Sequence, residues 1–154
     1  MNPMLANLNF IAFKLFSIAF FLCNTVVAQT YFSFDHQALI VKDLEESVNF
    51  YTEILGANKI EDPTGNPAID WVEFMDGTQM HFIENQTFQL EPNKSIHFAF
   101  KTNNLENLMK ELREKKIHFE NWPGEKNISN TRPDDVLQIY LQDPNGYWIE
   151  VNDN

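Results

Sequence analysis

The chain has 154 residues, 44% of them hydrophobic and 14% aromatic, which is enough apolar surface for one packed interior and too little length for several independent domains. A formal net charge of -11 excludes nucleic acid and an anionic membrane surface as partners, because both select a basic patch.

From Met1 to Phe34 the only charged residue is Lys14, and the apolar run LFSIAFFLCNTVVA follows it. A basic residue, an apolar stretch and small residues at Val26 and Ala28 describe a secretory leader, with cleavage expected after Ala28. The leader is thus residues 1–28 and the mature domain 29–154, secreted or periplasmic and free of the membrane. An uncleaved leader acting as an anchor is the alternative, although the run is short for a membrane span. Cys23 is the only cysteine and lies in the leader, so the mature chain is expected to have neither disulfide nor reactive thiol.

In FDHQALIV, apolar and polar residues alternate as in a strand. Asp43, with Glu46 three residues on, makes a capping pair that starts a helix, and Leu44, Val48, Tyr51 and Leu55 share one helical face before Gly56 closes it. A weak strand near Asn58–Glu61 precedes the strands WVEFM and TQMHFIE, which a two-residue Asp76-Gly77 turn is expected to join. The first unit, residues 34–90, is therefore β-α-β-β-β.

The second unit, residues 95–153, repeats the plan. SIHFAFK is a strand, Asn104 caps a helix with Leu105, Leu108, Met109 and Leu112 on one face, and IHFE is a short strand. VLQIYLQ and YWIEVND form a hairpin around DPNG. Asn121–Asp135, broken by Pro123, Gly124 and Pro133, is expected to be a long loop over a pocket.

The two units match at a constant offset. His36 and His97, Ala38 and Ala99, Asp43 and Asn104, Leu44 and Leu105, and Glu45 and Glu106 all lie 61 positions apart. His97 shares a strand face with Ser95 and Ala99, a lining of small and polar residues rather than a core; the same face around His36 is more apolar, and there a core histidine remains an alternative. His81 and Glu150 are equivalent if the second unit carries an insertion of eight residues. Two modules related by an approximate twofold would then bring His36, His81, His97 and Glu150 into one cup, a ligand set for a divalent transition metal. Scattered histidines remain the other reading of the same residues.

DHQALIVKDLEESVNFYTEILG, TQMHFIE, IHFAF and QIYLQDPNGYWIEV together resemble the vicinal oxygen chelate superfamily, which includes glyoxalase I, fosfomycin-resistance transferases and extradiol dioxygenases. The resemblance runs from Phe34 to Asn152 and implies an α+β fold of two βαβββ modules curved around a metal. It implies that His36, His97 and Glu150 bind Mn, Fe, Ni, Co or Zn, and that His81, where glyoxalase I has a second glutamate, is a ligand or a proton carrier. Glu150 is the other candidate base. Tyr140 matches a tyrosine near the metal in some relatives, with a structural aromatic as the alternative, and Arg132, at the start of TRPDDVLQ in the long loop, is a candidate contact for an anionic substrate group.

The activity so implied is that of a lactoylglutathione lyase-like lyase or isomerase, acting on a small molecule that chelates the metal through adjacent oxygens. A fosfomycin-type thiol transferase and a non-catalytic, bleomycin-resistance-like binding protein are the alternatives. By the same analogy the chain is expected to be a homodimer.

Overall fold

In HQALIV the alternation becomes β1 (His36–Val41), which buries Leu39 and Val41 and leaves His36, Ala38 and Ile40 outward. The helix that follows, α1 (Leu44–Glu53), starts where the Asp43 carboxylate accepts the Glu46 N–H at 2.9 Å, satisfying a donor the helix cannot. It buries Ser47, Val48 and Tyr51, and Gly56 beyond its end takes a positive φ of 72°. β2 (Asn58–Ile60), β3 (Ile69–Glu73) and β4 (Gln79–Glu84) complete a sheet ordered β1-β4-β3-β2, with β1 parallel to β4.

One turn differs from expectation. Phe74 N–H donates to Thr78 O, so the β3–β4 loop is the three residues Met75, Asp76 and Gly77, with Gly77 at φ 84°. The change moves the pairing by one residue and sets Trp71 opposite His81.

The second module follows the same order. β5 (His97–Lys101) leads into α2 (Leu105–Glu114), whose cap Asn104 accepts the Asn107 N–H at 3.1 Å. β6 (Phe119–Glu120), β7 (Asn130–Thr131), β8 (Leu137–Gln142) and β9 (Trp148–Asn152) build a sheet ordered β5-β9-β8-β6, with β7 also on β8. The expected loop over residues 121–135 thus contains a short strand, Asn130–Thr131, and a bridge between Glu120 and Lys126.

These elements belong to a computed structural model in which residues 30–154 are described; the leader expected over residues 1–28, with Cys23, lies outside them. Residues 35–154 form one unit. Its core draws on both modules, with Leu39, Val41, Tyr51, Val72 and Phe82 from the first and Leu112, Phe119, Ile139, Leu141 and Ile149 from the second. Among the described residues no helix is long and apolar enough to cross a membrane. The architecture is α+β, two βαβββ modules with open sheets.

The DPNG turn joins the modules. Asn145, 9% exposed, accepts the Lys42 N–H on Oδ1 at 2.8 Å and donates through Nδ2 to Ser47 Oγ at 3.0 Å. Tyr147 donates its hydroxyl to Ile40 O at 3.1 Å, and the Phe74 and Phe100 rings meet with centroids 4.6 Å apart. These contacts fix which faces of the sheets remain free.

Candidate functional site

Side chains on adjacent strands that pair directly share a face, so the register determines what can meet. On the free face of the first sheet, Ala38, His81 and Trp71 form one row, with His36, Gln79 and Glu73 beside it. The His36 ring lies 5.0 Å from that of His81 and 5.2 Å from that of Trp71, centroid to centroid. Asp35 Oδ2 accepts from His36 Nδ1 at 2.6 Å, which orients the ring and leaves Nε2 for another partner.

Both nitrogens of His81 are buried and meet no hydrogen-bond partner among the described residues. Orphaned buried nitrogens are uncommon in a folded chain, and each carries a desolvation cost. Burial first, and the charge on His36 second, lower the His81 pKa from the ordinary histidine value. The ring is therefore held neutral, the form in which imidazole binds a metal or takes a proton.

On the second sheet the corresponding row is Ala99, Glu150 and Tyr140, with Glu120 on the far strand. Ala38 opposite His81 and Ala99 opposite Glu150 are the same register in both modules, so the two residues are structural equivalents. Glu150 is 5% exposed and has four neighbours. Oε2 accepts the Tyr140 hydroxyl at 2.6 Å and faces His97 Nε2 at 3.3 Å; Oε1 accepts Arg132 at 2.9 Å and Asn152 Nδ2 at 2.8 Å. His97 donates Nδ1–H to Lys94 O at 2.7 Å, which orients the ring and turns Nε2 toward Glu150 Oε2.

Burial pushes the Glu150 carboxyl up, but bonds from Tyr140, Asn152 and Arg132, with the Arg132 charge, outweigh it and hold the pKa below the usual glutamate value. Burial and the Glu150 hydrogen bond push the Tyr140 hydroxyl up, so it remains a donor. Arg132, expected from sequence as a substrate contact, bonds two carboxylates of its own chain: Glu150 and, through two bonds of 3.0 and 2.7 Å, Asp134.

A folded pKa below the unfolded one contributes stability above the unfolded value that is lost as pH falls through the folded value. Arg132→Gln removes part of what holds Glu150 low. Its acid-dependent loss of stability is expected to be smaller than in the wild type and complete at higher pH, read as Tm against pH; superimposable curves would contradict this role.

His36 and His81 therefore form one half-site and His97 and Glu150 another. Among the described residues no three His, Cys, Asp or Glu side chains come together as a metal group. Each half nonetheless has the chemistry of a metal site: oriented imidazoles presenting Nε2, a buried imidazole without partners, and a carboxylate oxygen beside an imidazole. The residues fit a divalent transition metal.

Glu73 and Gln79, bonded to each other at 2.8 Å beside His36, were not found by sequence reasoning; nor were Gln138 and Asn152, buried next to Tyr140 and Glu150. Strand register was the signal that identifies all four. Gln138, Tyr140 and Glu150, Asn152 each sit two residues apart on one strand face.

The sequence model described as the Glyoxalase/Bleomycin resistance protein/Dioxygenase superfamily matches residues 33–151. The uncharacterized protein YwbC of Bacillus subtilis (strain 168) is 25% identical over 122 residues, which are 75% of this chain and 93% of that protein. A crystal structure from Bacillus anthracis assigned to the glyoxalase family superposes with a TM-score of 0.65 at 26% identity, covering 83% of this chain and 99% of that one. The fosfomycin resistance protein FosX of Listeria monocytogenes superposes with a TM-score of 0.64 at 17% identity, over 81% of this chain and 95% of that one, a likeness of fold.

Proposed function

The chain belongs to the Glyoxalase/Bleomycin resistance protein/Dioxygenase superfamily, and on that premise we propose that it is a metal-dependent lyase or isomerase acting on a small molecule with two adjacent oxygens. The observation that carries this reading is His97, whose Nδ1 is tied to Lys94 O while Nε2 faces Glu150 Oε2 at 3.3 Å. That is how a ligand pair is prepared before its ion arrives.

Because each chain offers two separate halves, we place the complete site between two copies. His36 and His81 of one copy meet His97 and Glu150 of the other, and an isologous twofold makes two such sites. β1 and β5 stand at the ends of their sheets; the outer edge of β1 is engaged by the same chain at Ile40 and Lys42, which leaves the part near His36 to a second copy.

A bound Mn, Fe, Ni, Co or Zn ion would supply Lewis acidity to the paired substrate oxygens, making a proton on the adjacent carbon more acidic. The chain's own residues divide the remaining work. Both oxygens of Glu150 are engaged by neighbours, which suits a fixed ligand. His81, neutral and with both nitrogens unengaged, suits proton transfer from the substrate carbon to its neighbour. Tyr140, held protonated, keeps Glu150 in place and offers a hydroxyl at the site wall.

The chain loaded during expression should hold about one transition metal per protomer, and His97→Ala should lose it. A wild-type chain that takes up none of the five metals would leave a binding protein of the bleomycin-resistance kind. Export is part of the same proposal, supported by the apolar run and Val26-Val27-Ala28. The intact mass of the exported chain is expected to begin at Gln29; a mass retaining Met1 would favour the anchored alternative.

A further inference from the structure

An exposed tryptophan is costly, and a fixed one beside a polar site calls for a partner. Among described residues from Asp35 onward, Trp122 is the most exposed large aromatic, 46% exposed. The other two tryptophans are covered to different degrees, with Trp71 only 8% exposed in the first sheet. Composition could not separate the three.

Trp122 is held in place. Its backbone N–H donates to Asn130 Oδ1 at 2.8 Å, and the turn beneath it is braced by Asn121, 3% exposed, which accepts the Glu125 N–H at 2.8 Å and donates to the Glu125 carboxylate at 2.7 Å. The indole points toward the second half-site, with its centroid 5.5 Å from the Tyr140 ring and 6.5 Å from the His97 ring.

Lys94 lies over the indole at 5.6 Å from its centroid, and equally close to the rings of Tyr140 and Trp148, at 5.6 and 5.3 Å. Its ammonium is satisfied by Glu120 Oε1 at 2.6 Å and Asn121 O at 3.1 Å. The cation thus occupies one side of the indole, anchors it through attraction to the ring, and draws π density toward itself. The exposed remainder of the ring is left to stack on something else, and an electron-rich ring answers it best.

We propose that Trp122 is a specificity-determining residue, a fixed stacking platform that selects substrates carrying a planar aromatic or conjugated group next to their chelating oxygens. The proposal rests on the metal reading above, since it places that ring beside His97 and Glu150. It adds a class that the ligand set does not distinguish: two substrates with the same oxygen pair differ only in what they lay on Trp122.

Benzohydroxamate and acetohydroxamate separate the two claims, because they share a chelating oxygen pair and differ by a phenyl ring in place of a methyl group. Calorimetric titration of each into the nickel-loaded full chain should show about a tenfold preference for benzohydroxamate. Trp122→Leu should lose most of that preference with acetohydroxamate affinity unchanged, and Trp122→Phe should keep most of it. Equal affinities in the wild type, or a preference that survives in Trp122→Leu, would overturn the platform alone while acetohydroxamate binding kept the metal reading intact. A chain that takes up no nickel and binds neither compound would overturn both.

Discussion

Glu150→Gln should lower metal affinity by about a hundredfold or more and turnover by on the order of a thousandfold, together with a drop in melting from loss of the carboxylate that Arg132 pairs. The first figure follows because loss of an outer partner of a ligand already costs roughly 10- to 100-fold, and here the ligand itself changes. Glutamine offers one oxygen in place of two: Oε1 can accept from Arg132 and Asn152 while its NH2 donates to the Tyr140 hydroxyl, so the neighbours stay partnered although the charge is lost. The second figure reflects loss of the only carboxylate in the proposed ligand set, within the range of roughly 10²–10⁴ seen when one catalytic group is removed. Metal content by plasma emission, set beside thermal melting, separates the effects. A variant that retains metal and turnover would remove Glu150 from the site.

Asn145→Ala should destabilise the fold by about 2–4 kcal/mol, the larger of the structural effects foreseen. Asn145 accepts the Lys42 N–H and donates to Ser47 Oγ and to Asp143 Oδ2, so one side chain closes bonds across the module junction. Each bond nets about 1 kcal/mol, and stranding a buried donor or acceptor costs about 1–3 kcal/mol. By contrast, Tyr51 reaches Asp143 Oδ2 at only 3.4 Å, and Tyr51→Phe should cost less than about 1 kcal/mol. Denaturant unfolding of the two variants distinguishes them; an Asn145→Ala chain as stable as Tyr51→Phe would deny the turn its role as a junction.

DPNG was legible as a turn because proline, asparagine and glycine each suit turn geometry. That it also ties β1 and α1 to the second module was not, since the partners Lys42 and Ser47 lie about a hundred residues away. The repeat itself could be read at the level of register. A constant offset through His36 and His97, with eight more residues before Glu150, places His81 and Glu150 against Ala38 and Ala99, and the strands pair that way. Capping by Asp43 and Asn104 was legible for the same local reason: a side chain reaching an N–H three residues on depends on nothing distant.

The β3–β4 turn shows where local reading stops. Asp76-Gly77 suggests a two-residue loop, which would pair His81 with Val72 and place the histidine across from a core residue. The three-residue loop pairs it with Trp71 instead. One residue of slip changes the face, and only the fit of Val72, Met80 and Phe82 into the core decides it. Arg132 was legible as a cation near the site but not as the partner of Glu150 and Asp134, because loop conformation sets where a long side chain ends. Nor did the sequence show which groups tie the modules together; the junction runs through Asn145, Tyr147, Phe74 and Phe100.

A shared site between copies is the central claim, and a mixing experiment tests it most directly. One chain carries His36→Ala with His81→Ala and the other His97→Ala with Glu150→Ala, and neither alone should hold metal. After the two are unfolded together and refolded at equal concentration, half of the dimers formed at random are mixed, and each mixed dimer contains one intact site. Metal content should recover to about a quarter of the wild-type value. Metal that stays absent in the mixture, while wild-type chain refolded in parallel regains its full content, would contradict a site built from two copies.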